Sequence, residues 1–141
     1  MPSGSVKLEV VRCLFHVPLS EFDIDEIRKI TMILSTQNIG VGNTEIVLSY
    51  IFWILTKLVN DRDSEAGRTF RSKFCMSVIN QALSILRKNH QRQVDDEVEE
   101  WEKYTLSLSI LNFLKFVSKD SKLRAQLSNR AEILSDVLAN D

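Results

Sequence analysis

The chain has 141 residues, of which 44% are hydrophobic and 26% are charged, values that are ordinary for one folded domain and exclude a disordered chain. Its formal net charge of -1 excludes a polyelectrolyte that binds nucleic acid through charge alone, because acidic residues accompany the basic clusters. The low glycine and proline content favours helix over sheet. The longest apolar run, residues 46–55, spans ten residues, whereas a membrane-spanning helix needs roughly 20. We therefore expect neither a nucleic-acid nor a membrane partner.

The first predicted element is a short amphipathic helix. Residues 1–5 are predicted to form a flexible tail, and residues 6–141 one helical domain. The helix is predicted over residues 6–16 and ends before Pro18, because a proline pushes the preceding residue out of the helical region. Its predicted inward residues are Val10, Val11, Leu14 and Phe15.

The second predicted helix covers residues 24–35 and carries a capping signal. Asp23 is a favourable N-cap with Glu26 three residues later, and Phe22 precedes it where its ring can pack on Ile27. The residues predicted to be buried are Ile27, Ile30, one of Met32 and Ile33, and Leu34. A polar, glycine-containing loop is predicted to follow, with Asn43 or Thr44 capping the next helix.

Residues 44–60 form the predicted centre of the fold. One helical face carries Val47, Ile51, Ile54, Leu55 and Leu58, and a second face beside it carries Ile46, Tyr50 and Trp53. A helix that is apolar on most sides must be covered by other elements. We therefore expect this helix to be buried nearly all round by the amphipathic segments before and after it.

Three further helices are predicted in the second half of the chain. The helix over residues 67–88 has an apolar stripe of Phe70, Phe74, Cys75, Val78, Ile79, Ala82, Leu83 and Leu86. The helix over residues 94–118 begins with acidic residues and has Lys115 and Lys119 at its end, an order that suits the helix dipole. The last helix, over residues 122–140 with a bend near Ser128, is predicted to bury Leu123, Leu127, Ile133, Leu134, Val137 and Leu138.

The potentially reactive residues form no catalytic or metal-binding pattern. The histidines, His16 and His90, and the cysteines, Cys13 and Cys75, have neither CxxC nor HxxxH spacing. We predict a protein that is not an enzyme and uses no cofactor or metal, with both cysteines as buried thiols and His16 ending its helix. Free thiols indicate a reducing, intracellular compartment, cytoplasmic or nuclear. The acidic residues 95–102 lack the glycine of a calcium loop and are interpreted as a solvated helix start.

An internal repeat relates the long helices to one another. The sequence WILTKL, residues 53–58, aligns with SILNFL, residues 109–114, and more weakly with EVVRCL, residues 9–14. The offsets are 44 and 56 residues, and each copy is followed by a polar gap and an amphipathic segment. A unit of this length, which buries its apolar face on its neighbour, is typical of a helical solenoid.

The repeat resembles the armadillo family. Residues 105–140 are similar to an armadillo unit, and WILTKL resembles the family's W-A-L-S-N-L helix, with Trp53 in the tryptophan place and Lys57 where asparagine is usual. The resemblance implies an all-α, right-handed solenoid of about three imperfect armadillo-like repeats with six to eight helices. In the late unit Ser109 and Phe113 stand in those two places. No unit keeps the full pair that grips a peptide backbone, which argues against importin-type binding of basic peptides.

The resemblance also implies where a partner binds, since the long third helices of a solenoid line one surface. The residues predicted to bind the partner are Tyr50, Trp53, Lys57, Asn60, Ser109, Asn112 and Lys115, with Thr56 on the same surface. The two lysines predict another protein or peptide that presents an acidic or amphipathic segment. Solvated positions without a partner are the alternative interpretation of this surface.

Two hypotheses about function remain open at this point. The first is a non-catalytic protein–protein interaction scaffold, which would be a complete unit or a fragment of a longer array. The second is a helical oligomerisation or regulatory subunit of an obligate complex, including a homo-oligomer. Trp101 bears on both, because an aromatic residue among acids can anchor a partner, although packing of Val94, Val98 and Trp101 on the preceding helix is the preferred interpretation.

Overall fold

The computed structural model describes residues 3–36, 44–91 and 100–129, and all regular structure in those ranges is helical. The elements are α1 (Ser3–His16), a 3₁₀ turn (Leu19–Glu21), α2 (Ile24–Thr36), α3 (Thr44–Asn60), α4 (Glu65–Thr69), a π-helical turn (Phe70–Phe74), α5 (Cys75–Gln91), α6 (Glu100–Val117) and α7 (Ser121–Ser128). None of the described helices is both long and apolar enough to cross a membrane. The predicted all-α class is therefore confirmed for the described ranges.

The first two helices follow the predicted pattern with one difference in bounds. Helix α1 begins at Ser3, so residues 3–5, which were expected in the tail, are helical. His16 ends α1 as predicted. The predicted cap of α2 is confirmed, because the Glu26 backbone N–H donates to Asp23 Oδ1 at 2.9 Å.

Helix α3 has the predicted bounds and is the buried centre of the fold. Twelve of its side chains are buried, and Ile51, Phe52, Leu55 and Leu58 have no exposed surface. Helices α1 and α6 pack on α3 from either side, and α4 packs near its end. The prediction of burial is confirmed for the face that carries Val47, Ile51, Ile54, Leu55 and Leu58. The second face, with Ile46, Tyr50 and Trp53, is only half-buried, because the neighbouring helices cover it in part.

Helices α1, α3 and α6 lie side by side and run in the same direction. The Arg12 guanidinium lies over the Tyr50 ring, whereas further along both helices the Lys57 ammonium donates to the Phe15 carbonyl. Between α3 and α6, Ile46 lies near the start of α6, and the Phe52 ring lies 5.8 Å from that of Phe113. Helix α5 contacts α2, α6 and α7, and α4 contacts α2 and α3.

The segment 65–91 is one helix with a π turn in its middle, since Thr69, Phe70 and Cys75 all keep right-handed helical angles. It begins at Glu65, before the predicted start, because the Ser64 hydroxyl accepts the Gly67 N–H at 3.0 Å. The predicted apolar stripe is buried, with Phe74 only half-buried.

The turn between α3 and α4 is held by polar contacts to the end of α3. The Arg71 guanidinium donates to the carbonyl oxygens of Val59 and Asp61, which have no partner within the helix. Backbone N–H donation from Asp63, together with the Ser64 side chain, lowers the pKa of the Asp61 carboxyl from its ordinary value. These contacts position the start of α4 against the last turn of α3.

Two residues that were predicted to be buried are exposed instead. Val10 and Cys13 are exposed because α1 packs mainly on α3, so that only a narrow stripe around Val11 is covered. Of Met32 and Ile33, one of which was predicted to be buried, Met32 is exposed and Ile33 is half-buried against the core.

Several predictions lie outside the described residues. These are the loop with the Asn43 cap, the acidic start predicted for the helix over residues 94–118, and the inward positions Ile133, Leu134, Val137 and Leu138. Within the described part, α7 buries Leu123 and Leu127 as predicted.

Candidate functional site

The predicted partner-binding residues do not all reach the surface. Tyr50, Trp53, Lys57 and Asn112 are half-buried, and Asn60 and Lys115 are exposed. Ser109 has no exposed surface, and its hydroxyl donates to the Leu106 carbonyl at 2.7 Å. Thr56 is also buried and donates to the Phe52 carbonyl at 2.7 Å. Both hydroxyls are therefore used inside the fold and cannot contact a partner there.

A groove of about 380 Å³ lies where α1, α3 and α6 meet. Two of the predicted residues, Tyr50 and Trp53, contribute to it. The full lining is Arg12, Phe15, Ile46, Ser49, Tyr50, Trp53, Trp101 and Thr105. Four of these eight residues are aromatic, a composition that is typical of sites that anchor a partner's side chains. We define this set of residues as the aromatic groove.

Sequence reasoning missed the contribution of α1 to the aromatic groove. Arg12 lies 5.9 Å above the Tyr50 ring centroid, and Phe15 makes an edge contact with the same ring at 5.9 Å. These contacts join residues almost forty positions apart, so no local pattern reveals them. One sequence feature could have indicated this contribution, because Arg12 is a cation on the same short helix as Phe15.

The Lys57 side chain makes contacts within the protein and is not a free cation on the surface. Its ammonium donates to the Phe15 carbonyl oxygen at 2.7 Å and lies 4.9 Å from the centroid of the Phe15 ring. The carbonyl belongs to the last turn of α1, where helix carbonyls lack internal partners, so Lys57 caps α1. Arg12 is then the one charged side chain that lines the aromatic groove among the described residues. Its side chain is about half exposed and pairs with Glu9 at 2.9 Å.

Trp101 lies at the rim of the aromatic groove. Its side chain is 54% exposed, so packing covers less than half of it. Val94 and Val98, its predicted packing partners, lie outside the described residues. The packing interpretation of Trp101 therefore stays a prediction.

The potentially reactive side chains lie apart from the aromatic groove. His16 is exposed at the end of α1, and His90 is half-buried in the last turn of α5. Burial raises the pKa of the Cys75 thiol to about 12, which keeps it protonated at neutral pH. Within the described ranges, no group of three or more His, Cys, Asp or Glu side chains could hold a metal ion.

The two cysteines are expected to react very differently with a thiol reagent. Because Cys13 is exposed and Cys75 is buried and protonated, one equivalent should react quickly in the folded protein and a second only in denaturant. Thiol titration of the native chain measures this directly. Cys13→Ser should abolish the fast phase, while Cys75→Ser should leave it intact. Two fast equivalents in the native protein would contradict the burial of Cys75.

A scan of family models, a search of curated proteins and a search of solved structures each returned no match for this chain.

Proposed function

We propose that this chain is a non-catalytic protein–protein interaction scaffold that binds an acidic or amphipathic segment of another protein in the aromatic groove. The observation that carries the proposal is the groove itself, where three helices place two tryptophans, a tyrosine and a phenylalanine around one arginine. Aromatic residues and arginine contribute large contact areas with few rotatable bonds, and they dominate binding energy at protein interfaces.

We further propose that α1, α3 and α6 are the equivalent third helices of an armadillo-like right-handed solenoid. Two independent observations support this proposal. The sequence repeat aligns these three helices at offsets of 44 and 56 residues. The same three helices also lie side by side in one direction, with α3 in contact with both α1 and α6. The aromatic groove is then the concave surface on which such arrays bind their partners.

The positive charge of Arg12 determines which side chains of a partner the aromatic groove favours. Arg12 is its only charged lining residue in the described part of the chain, and its guanidinium also lies over the Tyr50 ring. A carboxylate that approaches Arg12 gains a charge-assisted hydrogen bond, and an apolar side chain gains aromatic contact beside it. A lysine or arginine at the same place would be repelled.

Peptide binding tests the proposal, and the protein supplies its own probe. Both tryptophans of the chain line the aromatic groove, so their fluorescence should change when a peptide occupies it. Synthetic peptides of equal length that alternate leucine with glutamate, glutamine or lysine isolate the effect of charge. We expect the glutamate peptide to bind most tightly, with an affinity that falls as salt rises.

The matched variants are Arg12→Gln and Arg124→Gln. Arg12→Gln should weaken binding of the glutamate peptide about threefold to tenfold, while Arg124, which is exposed on α7, should make no difference. Lys57 is unsuitable for this test because its substitution would also break the bond to the Phe15 carbonyl. Equal binding of all three peptides, or an Arg12→Gln variant that binds as wild type does, would overturn the proposed site.

A further inference from the structure

Helix α6 carries a row of exposed apolar side chains that extends beyond the aromatic groove. The row consists of Trp101, Tyr104, Leu108 and Leu111, with exposed fractions of 54%, 68%, 48% and 41%. Their spacing of three, four and three residues places them on one face of the helix. We define these four residues as the α6 stripe, of which only Trp101 also lines the aromatic groove.

The internal repeat shows what kind of surface the α6 stripe is. At the offset of 56 residues, Leu108 and Leu111 correspond to Phe52 and Leu55 of α3. Both of those side chains have no exposed surface, and the Phe52 ring contacts Phe113 of α6. Helix α6 therefore covers Phe52 of α3, whereas Leu108, the equivalent residue of α6, is exposed.

Helix α1 shows the same relation to α3, its neighbour. At the offset of 44 residues, Leu55 corresponds to Val11 of α1, which is buried. Helix α3 is the main neighbour of α1. In both pairs a following helix covers this face, which indicates that the α6 stripe is built for contact with another helix.

The other described helices offer no different apolar row to pair with it. The remaining large apolar side chains that are exposed in the described ranges are Val10, Met32 and Met76, each on a separate helix. A heterologous contact needs a second, complementary patch, whereas a two-fold contact pairs one patch with itself. The α6 stripe can form such a two-fold contact, because the only patch required is a second copy of itself.

The charge order along the sequence selects the orientation. Lys115 and Lys119 follow the α6 stripe, and both are exposed. Parallel pairing would bring the lysines of the two copies together, whereas antiparallel pairing places them at opposite ends of the contact. Antiparallel pairing about a centre between Tyr104 and Leu108 also places Trp101 opposite Leu111.

We propose that the α6 stripe binds the α6 stripe of a second copy of this chain, antiparallel and around a two-fold axis. The stripe shares Trp101 with the aromatic groove, but its contacts can be removed separately at Leu108 and Leu111, which do not line that groove.

Solution mass measures the association. Light scattering on the full chain at about 100 μM should give twice the 16.2 kDa of one copy. Leu108→Glu, and separately Leu111→Lys, should each return the mass to one copy with an unchanged circular dichroism spectrum. Met76→Glu is the matched control, since Met76 is exposed to a similar extent on α5 and should leave the dimer intact.

Disulfide trapping in a Cys13→Ser background tests the orientation. When Tyr104→Cys and Leu108→Cys proteins are mixed and oxidised, the antiparallel arrangement predicts mainly the mixed disulfide, which mass spectrometry distinguishes from either homodimer. A parallel pair would give the two homodimers instead. A monomer at the highest concentration would overturn the proposal. A dimer that both stripe variants leave intact would place the interface elsewhere and would equally overturn it.

Discussion

Leu55→Ala is expected to lower the free energy of unfolding by about 2–5 kcal/mol, because it removes three heavy atoms from the centre of the core. Leu55 has no exposed surface and lies on α3, the helix that contacts α1, α4 and α6. The neighbouring helices can close the resulting cavity only partly, so the lost contacts add to the lost transfer free energy. A domain of this size has a total stability of about 5–15 kcal/mol, so one such change is a large fraction.

Urea denaturation followed by circular dichroism measures this loss. Met76→Ala is the control, because Met76 also lies within a helix but is 53% exposed and should cost less than about 1 kcal/mol. If Leu55→Ala and Met76→Ala had equal effects, α3 would not be the centre of the core.

Gly67→Ala is expected to destabilise the protein by about 1–3 kcal/mol or more, in spite of the higher helix propensity of alanine. A Cβ atom on Gly67 would overlap the carbonyl oxygen of Asp61 and lie 2.9 Å from that of Leu58. Both atoms belong to the backbone, and Arg71 holds the Asp61 carbonyl. The start of α4 must therefore move away from the end of α3, which loosens every contact in the turn.

Ser77→Ala is the appropriate control for this change. Ser77 is exposed on α5, so the substitution adds helix propensity without any clash and should leave the midpoint in urea nearly unchanged or slightly higher. Thermal unfolding of both variants gives a second measurement. A Gly67→Ala protein as stable as wild type would show that the close approach of α4 to α3 is not required.

The elements themselves follow from local patterns in the sequence. The bounds of α3 were predictable because apolar residues recur on two adjacent faces between a glycine-containing loop and a polar cluster. The cap at Asp23 and the apolar stripe of α5 were predictable for the same reason, since capping and helical periodicity depend on residues a few positions apart. The internal repeat likewise indicated which three helices share a pattern.

The candidate site could be predicted only in part, because its residues come from three helices. Tyr50 and Trp53 were found from the central helix, but their contacts with Arg12 and Phe15 join distant parts of the chain. Polar residues that were predicted to bind a partner also proved to make hydrogen bonds within the protein. Ser109 donates to a helix carbonyl within the core, and Lys57 caps α1. Their roles depend on which neighbour is within reach, a property that periodicity does not encode.

The sequence alone determined which faces are apolar, and the tertiary structure decided which of those faces are covered. Leu55 and Leu111 align when WILTKL is placed over SILNFL, yet the first has no exposed surface and the second is 41% exposed. The difference lies in the neighbours, since α6 covers α3 while no described helix covers the corresponding face of α6. Burial is a property of contacts between elements, so the same local pattern becomes core in one helix and a candidate interface in another.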